Sequence, residues 1–165
     1  MLFGHVAVSI LQHRYLKVDL KPAVAAEIFP DVVDKTLCQV LHLTPSGRMF
    51  GHTLAGLTFS TAVVGLIWGR RAAWSWGMGY LGHLLGDVGG SVPWLYPFVQ
   101  YDFSRDSLGL LEILRRRLAD RAAMRLELVL CVWAICALFW PWMSTRLPVA
   151  TKLESGARSG VSRRV

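Results

Sequence analysis

The stretch TLAGLTFSTAVVGLIWG (residues 53–69), then Arg70-Arg71, then AAWSWGMGYLGHLLG (residues 72–86), decides the fold of this chain. The first segment has no charge in 17 residues, and in the second His83 is the only group that titrates near neutrality. A third charge-free run covers Leu128 to Met143. Roughly 20 apolar residues cross a bilayer, with about 17 as the lower limit, so each run lies near that threshold. Together they predict an all-α polytopic membrane bundle with about three transmembrane helices plus interfacial and amphipathic helices. A soluble helical protein with buried core helices is the alternative.

Composition points the same way. Hydrophobic residues make up 53% of the 165, and seven are Trp. Trp68, Trp74, Trp76, Trp140 and Trp142 fall at the ends of the apolar runs, where interfacial aromatics concentrate. The net charge of +7 sits at the flanks of these runs and in the tail, which suits anionic lipid headgroups rather than nucleic acid. Nothing resembles a cleavable signal peptide, so insertion is expected to be signal-anchor-like. The three cysteines, Cys38, Cys131 and Cys136, lack CxxC spacing and read as small apolar packers.

Residues 1–148 read as one membrane-embedded helical domain, and the Ser/Gly/Arg-rich residues 149–165 as a disordered basic tail. Met1 to Leu16 predicts a helix carrying His5. Ala23 to Phe29 predicts a short helix stopped by Pro30, because proline disfavours helical geometry in the residue before it. Asp31 to Leu43 then predicts a new helix entered through Pro30, and Thr44-Pro45-Ser46-Gly47 a turn. Gly82, Gly86 and Gly90 form a small-xxx-small stripe suited to close helix approach. Gly89 to Pro97 reads as an interfacial rim or lid, and Ser107 to Arg125 as one basic amphipathic helix on the membrane surface. The balance of Lys and Arg places the end of the hairpin bearing His52 at the cytoplasmic face.

Ionisable groups inside apolar helices are costly, and His83 with Asp87 puts an imidazole and a carboxylate one helical turn apart. Residues four apart share a helix face, so both can address one ion. An antiparallel hairpin brings His52, at the start of its first helix, to the level of His83 and Asp87. Asp31 and Asp34, three apart, form a second acidic pair, for which N-terminal capping is the plain alternative. With His5 these make six candidate ligands: His5, Asp31, Asp34, His52, His83 and Asp87. Imidazole and carboxylate suit a divalent transition metal, zinc foremost, and six groups leave room for one or two ions. Cys38, four residues after Asp34, is expected to pack, and His13 and His42 to be solvent or interface residues.

In order along the chain, His5, Phe29-Pro30-Asp31-Val32-Val33-Asp34, Gly47-Arg48-Met49-Phe50-Gly51-His52-Thr53, Gly82-His83-Leu84-Leu85-Gly86-Asp87 and Leu95-Tyr96-Pro97-Phe98 resemble the YdjM-type family of membrane-bound predicted metal-dependent hydrolases. The likeness runs through about the first hundred residues. It departs in the acidic pair, spaced here by two residues rather than one, and in Gly51-His52-Thr53, where Thr-His-Ser is usual. The resemblance implies an inner-membrane protein with a His and Asp metal site, distantly similar to zinc-dependent phospholipase C.

The expected activity is hydrolysis of a phosphoester or other ester of a lipid or lipid-linked substrate by metal-activated water. Arg48 is the candidate for stabilising charge on a phosphoryl oxygen, and Asp31 or Asp34, when not a ligand, for general base. A non-enzymatic metal-binding regulator or scaffold would use the same residues in a closed site. A small transporter or channel subunit would instead string them along a path across the bilayer.

Overall fold

The computed structural model describes residues 4–87, 92–103 and 110–146, and among these it is all-helical. Six α-helices follow one another: α1 (Gly4–Leu16), α2 (Leu20–Lys35), α3 (Leu54–Trp68), α4 (Arg70–Gly86), α5 (Leu110–Ala119) and α6 (Arg121–Arg146). The expected basic tail and residues 89–91 of the Gly89 to Pro97 rim lie outside the described residues.

Proline does not divide α2. The helix runs unbroken through Pro30 and continues into a π-helical turn, Thr36–Val40. This corrects the expected helix break. Pro30 lacks the N–H that would bond back to the previous turn. It is nonetheless fully buried, and the chain at Gly51 packs directly on it: a Cβ added to Gly51 would come 2.7 Å from the Pro30 carbonyl oxygen. Tertiary contact thus outweighs the local preference. One consequence decides the site: Glu27, Asp31 and Asp34, at spacings of four and three, share one face of a single helix.

α3 and α4 form the expected hairpin, joined by Gly69 alone, whose φ of 85° is a conformation that L side chains rarely adopt. Thr53 caps α3, its hydroxyl accepting from the Gly56 N–H at 2.8 Å. α4 then lies against α2. The close approach is made at Gly79, where a Cβ would sit 2.3 Å from the Ala23 carbonyl oxygen, and at Gly82. The glycine seam is therefore offset from the expected stripe, of which Gly90 lies outside the described residues. Ala26, Tyr80, Leu84 and Val92 form the buried core of this part, and Ala7, Leu11, Ala134 and Ala137 join α1 to α6.

Ser107 to Arg125 is not one helix. Asp120 ends α5 and starts α6, its Oδ1 accepting from the Ala122 and Ala123 N–H groups at 3.0 and 3.1 Å. Among the described residues, one helix is long and apolar enough to cross a membrane, Arg121–Trp140. Leu54–Trp68 is apolar but, at 15 residues, spans about 22 Å against a hydrocarbon core of about 30 Å.

Candidate metal centre

All six candidate ligands lie at one end of the α1–α4 assembly. The other end holds Arg71 and Asp19, paired at 2.8 Å on the surface. The polar groups form a cluster rather than a string between the two ends.

The short segment between the π turn and α3 is pinned by Asp34. This fully buried carboxylate accepts three hydrogen bonds: at Oδ2 from the Met49 N–H (2.6 Å) and His52 Nδ1 (2.7 Å), and at Oδ1 from the Gly51 N–H (2.8 Å). Tyr80 reinforces the position by donating to the Gly51 carbonyl at 2.6 Å. Asp34 thus stands behind His52. With Nδ1 engaged, the imidazole presents Nε2 to the interior, the arrangement in which a carboxylate fixes the tautomer and orientation of a ligating histidine.

Around His52 Nε2 the other groups converge. His83 Nε2 is 3.2 Å away, Asp31 Oδ1 3.5 Å and Asp87 Oδ2 3.8 Å. Donors about 2.0–2.1 Å from a tetrahedral zinc lie about 3.3 Å from one another, so these separations have the right scale. The donor chemistry fits as well, because two buried imine nitrogens facing each other at 3.2 Å repel unless a proton or cation lies between them. The His52 and His83 rings are inclined at 62°, which lets both in-plane lone pairs meet at one point.

His5 is placed differently. Its ring stacks on His83, with centroids 4.3 Å apart and planes 18° from parallel. Lone pairs of near-parallel stacked rings do not converge, so His5 and His83 cannot both serve one ion in plane. His5 Nε2 instead faces Asp87 Oδ1 at 4.0 Å, while Asp87 Oδ2 faces His52. His5 Nδ1 is bound to Glu27 Oε2 at 2.9 Å.

Glu27 is the residue that sequence reasoning missed. The signal was its position four residues before Asp31, and it was hidden by treating Pro30 as a helix end. Asp31 also pairs with Lys35 at 2.7 Å, and Arg48 with Asp87 at 2.8 Å. Lys35 is about a third open to solvent, and Asp31 and Arg48 about a quarter. Cys38 carries a free thiol on the π turn. His13 bonds the Val18 carbonyl at 2.7 Å, away from the cluster.

The electrostatics follow from this packing. Burial opposes ionisation of Asp31, but the hydrogen bond with His52 and the Lys35 ammonium outweigh it and hold its pKa well below the usual carboxylate range. Burial likewise opposes a charged His52, yet hydrogen bonds to Asp31 and Asp34 hold its pKa above the ordinary value. Glu27 lacks such compensation, and burial pushes its carboxyl up to about 9. Between Asp31 and His52 the packing therefore favours the carboxylate and the imidazolium together.

The same ordered residues lie within a longer match. Residues 1–146 match the YdjM inner membrane protein family. The chain belongs to that family. Family membership covers α1 through α6, well past the first hundred residues that carried the resemblance, and makes this an inner membrane protein. Arg121–Trp140 is the helix that fits a crossing. No curated protein and no solved structure matches the chain.

Proposed function

We propose that the chain is a membrane-bound metal-dependent hydrolase acting on a phosphoester or other ester of a lipid or lipid-linked substrate. The observation that carries this reading is the convergence of His83 Nε2, Asp31 Oδ1 and Asp87 Oδ2 within 3.2–3.8 Å of His52 Nε2 at one end of the bundle. His52, His83 and Asp31, whose ligand atoms lie within 4.8 Å of one another, would hold a zinc-like divalent ion, and His5 with Asp87 beside them offers room for another. Such an ion supplies a coordinated water with a pKa near about 7 and polarises the scissile group.

The side chains account for the rest. Arg48, partly open beside Asp87, presents a planar fork that matches phosphoryl oxygens, and exchanging Asp87 for substrate keeps it paired. Asp31, also partly open, is placed to receive a proton when it is not a ligand. An apolar groove of about 450 Å³, formed by Leu54, Ala55, Phe59, Trp94, Leu95 and Phe98, begins two residues from His52 and suits a lipid tail. Phe59, Leu66, Ile67 and Trp68 expose an apolar face on α3, which supports membrane embedding of the α3–α4 hairpin in addition to α6.

The test is metal analysis of the purified protein beside His83→Ala and Asp87→Ala, with hydrolysis of phospholipid and of a chromogenic phosphodiester measured on the same samples. Stoichiometric metal and turnover in wild type, both lost in the variants, are expected. Wild type without transition metal overturns the reading. Bound metal without hydrolysis of either ester leaves a metal-binding regulator or scaffold.

A further inference from the structure

Glu27 is 1% exposed, and nothing in the proposed chemistry so far uses it. A carboxylic group in such surroundings is costly, and its Oε1 has no hydrogen-bond partner among the described residues. It is also closely accommodated. A Cβ on Gly82 would lie 2.5 Å from Glu27 Oε1 and 2.7 Å from Gln12 Nε2, so the absence of a side chain there makes the slot in which the carboxyl lies, next to His83. Gln12 is held by donating to the Met78 carbonyl at 2.9 Å.

Two histidines of the cluster are bound in the same manner. Asp34 Oδ2 accepts from His52 Nδ1 at 2.7 Å, and Glu27 Oε2 lies 2.9 Å from His5 Nδ1. In both, Nδ1 is engaged and Nε2 is left for Asp87, which turns Oδ2 to His52 and Oδ1 to His5. The stacking of His5 on His83 argues against the other use of Glu27, as a ligand to an ion shared with both rings, because their lone pairs run nearly parallel.

We propose that Glu27 is a positioning residue for the metal centre, fixing His5 with its proton on Nδ1 and its Nε2 directed to the ion beside Asp87. This rests on the metal-dependent reading above. The Oε2 atom can accept from Nδ1 whether the carboxyl is ionised or carries its proton on Oε1. Partners of this kind are worth about 10–100-fold in metal affinity.

The experiment is zinc competition against a chromophoric chelator on full-length protein in detergent, for wild type, Glu27→Ala, Glu27→Gln, His5→Ala and the Glu27→Ala/His5→Ala double variant, with circular dichroism as the control for folding. Glu27→Ala is expected to weaken one zinc site by about 10–100-fold, and Glu27→Gln, which keeps an acceptor oxygen, to restore most of it. The double variant is expected to bind no more weakly than His5→Ala, because Glu27 acts through that ring. Gly82→Ala, which closes the slot, is expected to reproduce Glu27→Ala. Additive losses in the double variant, or wild-type affinity in a folded Glu27→Ala, overturn the role of Glu27 while the metal reading stands. Wild type that binds no zinc overturns both.

Discussion

Replacing Asp34 separates its role behind His52 from direct ligation. Its carboxylate is fully buried and accepts from three donors, two of them the backbone N–H groups of Met49 and Gly51. In Asp34→Ala both N–H groups lose their partner, at about 1–3 kcal/mol each, so destabilisation of about 2–6 kcal/mol is expected. That is a large part of a typical total of about 5–15 kcal/mol. Asp34→Asn is milder. With its oxygen in the Oδ2 position the amide satisfies His52 Nδ1 and Met49, and its NH2 meets the Gly51 N–H alone; the flipped amide opposes two donors. The cost of Asn is therefore about 1–3 kcal/mol, with the His52 tautomer retained. Denaturant titration in detergent micelles followed by helical circular dichroism reads the stability, and zinc competition reads the site. Asp34→Asn is expected to keep zinc affinity within about tenfold of wild type, and Asp34→Ala to lose about 10–100-fold or more. An Asp34→Ala protein with wild-type stability refutes the hydrogen-bond reasoning. Loss of all zinc binding in a folded Asp34→Asn refutes the positioning role and makes Asp34 a ligand.

Three further outcomes follow from the same geometry. Gly79→Ala places a methyl 2.3 Å from the Ala23 carbonyl oxygen and forces α2 from α4, so a loss of about 1–3 kcal/mol is expected in the same titration, with weaker zinc binding because Asp31 and His83 sit on those two helices. Without metal, burial holds the pKa of His5 down to about 3, which takes stability away as pH falls below about 6.5, and three further groups act beside it. The raised pKa of His52 gives stability that is complete below about 6.5 and is lost as pH rises through the folded value, whereas the lowered pKa of Asp31 gives stability present above about 3.8 and lost on strong acidification. Glu27 is protonated in the folded protein up to about 9 but ionised above about 4.5 when unfolded, so it removes stability as pH rises across that window. Metal-free protein is accordingly expected to lose stability as pH rises from about 7 towards about 9, with Glu27→Gln flattening that decline in thermal unfolding; an unchanged slope counts against the burial argument. Chelation of bound zinc is expected to lower the unfolding temperature, since a ligand at 100 times its Kd stabilises by about 2.7 kcal/mol, and an identical melt with and without chelator counts against metal binding at the site.

Much of this site is legible in the sequence because few residues can carry charge in such apolar surroundings. His83 and Asp87 are visible as a helical pair, and a hairpin with a turn at Gly69-Arg70-Arg71 brings His52 to their level. What stayed hidden depends on Pro30. Local preference reads a proline as a boundary, but burial of Pro30 against Gly51 lies between segments 21 residues apart, and no local signal records it. Treating Pro30 as a break removes Glu27 from the face shared by Asp31 and Asp34 and makes that pair look like an N-terminal cap. The joint at Asp120 was obscured in the opposite way: the alternation of Leu and Arg continues across it, and only the carboxylate capping the next turn separates α5 from α6. The number of crossings is not decided by periodicity either, because residues 53–69 and 72–86 lie at the lower limit of length.

The way α6 joins the rest bears on how the membrane and the site are related. Among the described helices, α6 packs on α1 and α5, through Ala134 and Ala137 against Ala7 and Leu11, and Trp133 donates to the Tyr15 hydroxyl at 3.2 Å. α1 also carries His5, whose ring lies on His83. A single short helix, α1, therefore connects the helix that fits a crossing to the His and Asp cluster, while α2, α4 and the segment before α3 hold Asp31, Asp34, His83 and His52 without contact from α6. Displacement of α6 in the bilayer would reach the cluster through α1, which carries His5 and packs on both α2 and α4.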